Sequence, residues 1–216
     1  MSSHRFSLSF CCVLFLFVLG ACSSTPKKDE TETQNSKNTK VSKILEPKVG
    51  GPGELVDKYD LNKDKRADLW RISRQAQDPK DPTKKVKFLV RIEIDLNADG
   101  KIDIRRYYTA GVKTREEFDL DYDGRFDVIN YYVQGWMNKQ AYYIRSKTQP
   151  DVYKYYELVG KKKKKKLLLV KKERDTNLDG RVDYWEYWEN GSLDRIGRDT
   201  DYDGNVDVWE KNEASE

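Results

Sequence analysis

A nine-residue pattern with acids at alternate positions recurs five times along this chain: DLNKDKRAD (60–68), DLNADGKID (95–103), DLDYDGRFD (119–127), DTNLDGRVD (175–183) and DTDYDGNVD (199–207). No other feature constrains the fold as strongly, because each copy must turn the chain sharply while gathering several carboxylates. Positions 1, 3, 5 and 9 are Asp or Asn in every copy, and position 6 is Gly in four of the five. Glycine there permits the positive φ that a sharp turn requires. Loop starts at 95 and 119 are 24 residues apart, as are those at 175 and 199. Gly111, Gly135 and Gly191 each follow the first Asp of a loop by sixteen residues.

A turn needs one acid beside a glycine; three further acids at alternate positions point to a cation. Ca²⁺ takes about six to eight oxygen ligands, and a short loop with inward carboxylates and a position-7 carbonyl supplies them. The expected ligands are Asp60, Asn62, Asp64 and Asp68; Asp95, Asn97, Asp99 and Asp103; Asp119, Asp121, Asp123 and Asp127; Asp175, Asn177, Asp179 and Asp183; and Asp199, Asp201, Asp203 and Asp207. Lys101 would contribute only its carbonyl. About five Ca²⁺ ions would offset ten of the charges on seventeen Asp side chains, so metal binding is expected to double as folding energy.

These loops resemble the calcium loops of EF-hand-like proteins: dockerins, thrombospondin type 3 repeats and the β-propeller loops of integrin α chains. The resemblance covers the five loops only. An EF-hand carries a bidentate Glu at position 12, where this chain has Arg71, Arg106, Asn130, Glu186 and Glu210, so only Glu186 and Glu210 could complete a site in that way. The segments that follow, IRRYY, VINYYV, YWEYWE and VWE, are aromatic and β-branched, which favours strands over the helices of an EF-hand. The β-flanked form of the loop is the closer match. It implies structural calcium rather than sensing, since a sensor must open a pair of helices.

Between 127 and 175 a sixth copy is degenerate. DVYKYYELVG from Asp151 parallels DVINYYVQG from Asp127, and the loop YIRSKTQPD (143–151) puts Tyr143, Arg145 and Lys147 at ligand positions. A cation there would meet like charge, so this loop is expected to be silent. Insertions fall at the hairpin tips, QAQDPKDPTKK in the first unit and KKKKKK (161–166) after Gly160, where a meander tolerates them. The expected fold is all-β: an elongated antiparallel β-meander of about six 24-residue hairpin repeats, with the acid loops along one edge and glycine turns along the other. A closed barrel or partial propeller is the alternative. The tyrosine-rich hairpins, as in YWEYWENGSL, resemble variant MORN-type repeats, which implies a single-layer sheet.

The N-terminal MSSHRFSLSFCCVLFLFVLGAC has one early Arg, an apolar run too short for a membrane span, and small residues before Cys22. Leu19-Gly20-Ala21-Cys22 resembles the lipobox of bacterial lipoproteins, which implies a signal peptide over 1–21 and lipidation of Cys22. Ser23 rather than Asp after the Cys implies the outer membrane, periplasmic or surface-facing. Residues 22–43 hold almost no apolar side chain and read as a tether, leaving 44–216 as the calcium-loop β-repeat domain.

Histidine occurs only at His4, and Cys11, Cys12 and Cys22 all lie at or before the expected cleavage point. A mature chain therefore has no residues for Ser-His or Cys-His catalysis or for a His/Cys zinc site. Five equivalent acid loops also differ from the single opposed carboxylate pair of a glycosidase, so no enzymatic role is expected. The expected role is that of a calcium-binding scaffold or adhesion-type lipoprotein with an envelope protein or polysaccharide partner; calcium-repeat lipoproteins of similar look serve adhesion and gliding. A polysaccharide or acidic-polymer binder using Trp136, Trp185, Trp188 and the Lys161–Lys166 tip is the alternative. Nucleic acid is not an expected partner, because no aromatic interleaves with those lysines.

Overall fold

The computed structural model describes residues 46–161 and 164–212; the expected signal segment (1–21), Cys22 and the whole of the expected tether (22–43) lie outside them. Twelve strands follow: β1 (Glu54–Tyr59), β2 (Leu69–Gln77), β3 (Lys85–Ile94), β4 (Ile104–Thr109), β5 (Val112–Phe118), β6 (Val128–Val133), β7 (Trp136–Tyr142), β8 (Val152–Val159), β9 (Lys166–Arg174), β10 (Tyr184–Glu189), β11 (Ser192–Arg198) and β12 (Val208–Lys211). They form one antiparallel sheet in strict chain order, so every connection is a hairpin. β1 and β12 stand at opposite ends of this order and do not pair with each other, so the sheet is an open meander and not a barrel.

The two ends of the sheet follow from two kinds of turn. At one end Ala110-Gly111, Gln134-Gly135 and Asn190-Gly191 have both residues at positive φ, the type I′ geometry whose twist matches a two-residue hairpin. At the other end the six nine-residue segments link β1 to β2, β3 to β4 and so on. The N–H of the first loop residue donates to the carbonyl of position 9 in the preceding loop, from Asp95 to Asp68 (2.9 Å), Asp119 to Asp103 (2.8 Å), Tyr143 to Asp127 (2.7 Å), Asp175 to Asp151 (3.0 Å) and Asp199 to Asp183 (3.0 Å). The loops are thus stacked in a row two strands, or roughly 10 Å, apart.

A feature absent from the sequence reading recurs in all five hairpins at the glycine end. Register slips by one residue between Ile72 and Ser73, Tyr107 and Tyr108, Tyr131 and Tyr132, Tyr155 and Tyr156, and Tyr187 and Trp188. Each slip is a β-bulge, which adds local twist. Paired aromatics mark four of the five bulges; the first falls at Ile72-Ser73.

Packing contacts of any extent run only between consecutive strands, so the faces are covered by their own side chains. Among the described residues few apolar side chains are buried: Trp70, Ile72, Ile94, Val128, Ile129 and Ala141. On one face the registers align Tyr107, Arg115, Tyr131, Lys139, Tyr155, Lys171, Tyr187 and Arg195 in a single row. Cations lie over rings within it, Lys171 at 4.4 Å from the Tyr155 centroid and Arg195 at 4.7 Å from that of Tyr187. Each such contact contributes about 0.5–1 kcal/mol at half-exposed sites. This row explains how a sheet without a second layer holds so many tyrosines.

Candidate metal sites

Each acid loop is built by its own side chains. The position-3 oxygen accepts from the N–H of position 5, as Asn97 does from Asp99 (3.0 Å), and the position-5 carboxylate accepts from position 7, as Asp99 does from Lys101 (2.8 Å). The same pair of bonds recurs in the loops at 60, 119, 175 and 199. These Asx turns are the local preference of Asp and Asn. Position 1 accepts from the N–H of position 6, Asp119 from Gly124 at 2.7 Å and Asp199 from Gly204 at 2.7 Å. Position 9 reaches back to the N–H groups of positions 2 and 3, Asp103 to Leu96 (2.5 Å) and Asn97 (3.3 Å). All four predicted side chains of each loop are therefore drawn around one short turn.

Burial of the acids is what a turn alone does not explain. Asp95, Asp103, Asp119, Asp175, Asp183 and Asp199 are each about as buried as the apolar core, Asp103 being 1% exposed. Asp95 Oδ1, Asp103 Oδ1 and Asp119 Oδ1 are buried with no hydrogen-bond partner. A buried carboxylate oxygen left unpaired is costly, and a cation is the partner that suits it. Burial pushes the Asp103 carboxyl up, and although Leu96 and Asn97 donate to it, the charges of Asp95 and Asp99 add to the rise. Asp201 is raised too: the Asp203 N–H opposes the shift, but the charges of Asp207 and Asp203 outweigh it.

In two loops three carboxylates each offer an oxygen within 4.8 Å of the others: Asp119, Asp121 and Asp127, and Asp199, Asp201 and Asp207. Both triads can hold a metal ion. The loops at 60, 95 and 175 have Asn at position 3, so an amide oxygen replaces the third carboxylate. The position-5 acids Asp123 and Asp203 lie outside these triads, and hydrogen bonds from the Arg125 side chain lower the Asp123 carboxyl to about 2.

The acid-poor loop at 143–151 reaches the loops on both sides of it. Asp151 keeps the position-9 bonds to Ile144 (2.9 Å) and Arg145 (2.8 Å). Burial works against its charge, yet those N–H groups prevail and its carboxyl is lowered, the reverse of Asp103. The side chain of Lys147 reaches back into the preceding loop, its Nζ 3.6 Å from Asp121, 3.3 Å from Asp123 and 3.8 Å from Asp127. Arg145 reaches forward to the carbonyls of Asp175 (2.9 Å) and Thr176 (3.3 Å). A repeat that lost its acids thus supplies cations to the loops on either side.

Other predicted residues find different surroundings. Asp60 is exposed, and its loop holds Lys65 at φ 72° where the others have Gly. Glu186 and Glu210 lie on β10 and β12 with strand cations, Glu186 3.0 Å from Lys172 and Glu210 3.1 Å from Arg198. Thr176 and Thr200, at position 2 of the last two loops, also donate hydroxyls to Asp183 (2.8 Å) and Asp207 (2.7 Å). The change from Leu to Thr at that position is the sequence signal for this extra bond.

No family model and no curated protein matches the chain. Among solved structures it is similar to a chain of "Crystal structure of GtfA/B complex", at 13% identity and a TM-score of 0.38. That match covers 51% of this chain and 19% of the other.

Proposed function

We propose that this chain is a calcium-binding repeat lipoprotein of the bacterial envelope, anchored in the outer membrane through lipidated Cys22, whose sheet is a scaffold or adhesion-type surface locked by about five Ca²⁺ ions. The observation that supports it is the set of buried, unpartnered carboxylate oxygens on Asp95, Asp103 and Asp119. Structural calcium accounts for them, because an ion between β-linked loops neutralises charge without any element that must open. Native mass spectrometry on the calcium-loaded chain should count near five ions, and excess chelator should lower the melting temperature by many degrees. A melting curve indifferent to chelator would remove the structural role. Cys22→Ser should release the protein from the membrane fraction; continued membrane attachment with unchanged processing would remove the anchor.

Sugar stacking on exposed tryptophan has weaker support. Trp136 is 46% exposed, but Trp185 and Trp188 are half-buried, and strand alternation puts those two on opposite faces. They do not form one solvent-facing row.

A further inference from the structure

The register of the sheet places one row of residues across the face opposite the tyrosine row. Where two charged residues stand directly opposite in it, they are of opposite sign: Asp57 with Arg71, Arg106 with Glu116, and Lys172 with Glu186. The exception is Lys154, which stands opposite Lys172 on β8 and β9. Like charges facing across a strand pair destabilise it unless something answers them.

The same two lysines line a groove of about 510 Å³ beside the silent loop, together with Tyr142, Arg145, Val152 and Arg174. That volume lies within the ~300–1,000 Å³ of small-molecule sites. The two carboxylates of the groove are turned to their own loops, Asp151 accepting from Ile144 and Arg145 and Asp175 from Leu178 and Gly180. Glu186 takes Lys172 (3.0 Å) and lies 3.6 Å from Arg174. Lys154 forms no ion pair among the described residues; its Nζ lies 3.4 Å from the Tyr142 hydroxyl and 4.8 Å from that ring's centroid. A buried edge of Arg174, its Nε, has no hydrogen-bond partner.

The corresponding groove one repeat further on is smaller, about 390 Å³, and is lined by Tyr184 at the place of Val152. There the partners of the row are Glu186 and Ile196, at the places of Lys154 and Lys172. Ile104 and Val128 hold the place of Val152 in earlier repeats, so the small side chain is common to them, whereas two lysines facing each other in this row occur only at Lys154 and Lys172 among the described strand pairs.

We propose that this groove is a binding site for a small anionic ligand, a sugar-sized molecule whose phosphate or carboxylate sits between Lys154 and Lys172. Lys172 keeps donors to spare beyond Glu186, since an ammonium has three. The Tyr142 hydroxyl, 3.4 Å from Nζ, keeps the Lys154 ammonium at the groove, on the strand paired with that of Lys172. Tyr142 is the ring among the lining residues and Lys154 sits at its hydroxyl end, so the recognition assigned to the groove is that of the lysine charges.

Calorimetric titration of the full chain with glucose 1-phosphate, with glucuronate and with glucose tests this, in calcium and again in chelator. Either anion should bind where glucose does not, and which one binds better tells phosphate from carboxylate recognition. Lys154→Glu should abolish that binding while raising the melting temperature, because it restores an opposite-sign pair with Lys172; Lys154→Gln should weaken it by roughly tenfold or more. Replacing the lysine tip at 161–166 with Ser should leave it unchanged. Binding of neither anion in either buffer, equal binding of glucose, or full binding by a folded Lys154→Glu chain would overturn the assignment.

Discussion

Asp103→Asn separates a metal ligand from a turn former. The substitution keeps an oxygen able to accept from Leu96 and Asn97 and removes one charge from a residue that is 1% exposed. Without metal that charge is a burden, since burial and the neighbouring Asp95 and Asp99 already push the carboxyl up. In excess chelator the variant should therefore melt at the parent temperature or above it. With calcium the sign reverses. An ion at a hundred times its dissociation constant adds about 2.7 kcal/mol of stability, and a hundredfold weaker site at the same concentration adds only about 0.4 kcal/mol. The loss of about 2.3 kcal/mol corresponds to a fall of roughly 5–9 °C for a chain of this size. Differential scanning calorimetry of parent and variant in the two buffers measures both signs. An equal fall with and without calcium would refute the reasoning, because it would reduce Asp103 to its two hydrogen bonds.

Lys147→Gln should strengthen metal binding at the 119–127 loop several-fold, since it removes an ammonium lying within 4 Å of Asp121, Asp123 and Asp127; unchanged calorimetric affinity would mean that the lysine does not compete. Lys65→Gly should stabilise the first loop by about 1 kcal/mol, because Lys65 holds φ 72° against the steric preference of an L-residue; thermal melting checks it. Glu116 links stability to acid: burial opposes its charge, but hydrogen bonds from Arg106, Tyr132 and Lys113 hold its carboxyl below the ordinary 4.5. Its contribution is present above that pH and is lost as pH falls through the lower folded value, so Glu116→Gln should flatten the acid limb of a stability–pH curve measured by urea unfolding.

The sequence by itself determined what is local. An acid at alternate positions folds back on N–H groups two residues ahead, a glycine accepts positive φ, and Asn-Gly closes a two-residue hairpin, so loops, turns and the number of strands were all legible. That the side chains at positions 1, 3, 5 and 9 of each acid loop fold back on one short turn was legible for the same reason, as was the scarcity of acids in the sixth. Neighbours across the sheet were not. Alternation along a strand assigns residues to a face but leaves the pairing of one strand with the next undetermined, and the slips at Tyr107, Tyr131, Tyr155 and Tyr187 shift it within single hairpins. Whether the edges close is set by accumulated twist, to which no single residue testifies. Only the stacked loops bring Lys147 to Asp123, 24 residues earlier in the chain. Only the register of β8 on β9 sets Lys154 against Lys172, because hydrogen bonding between strands, and not the order of residues within them, decides which charges must answer one another.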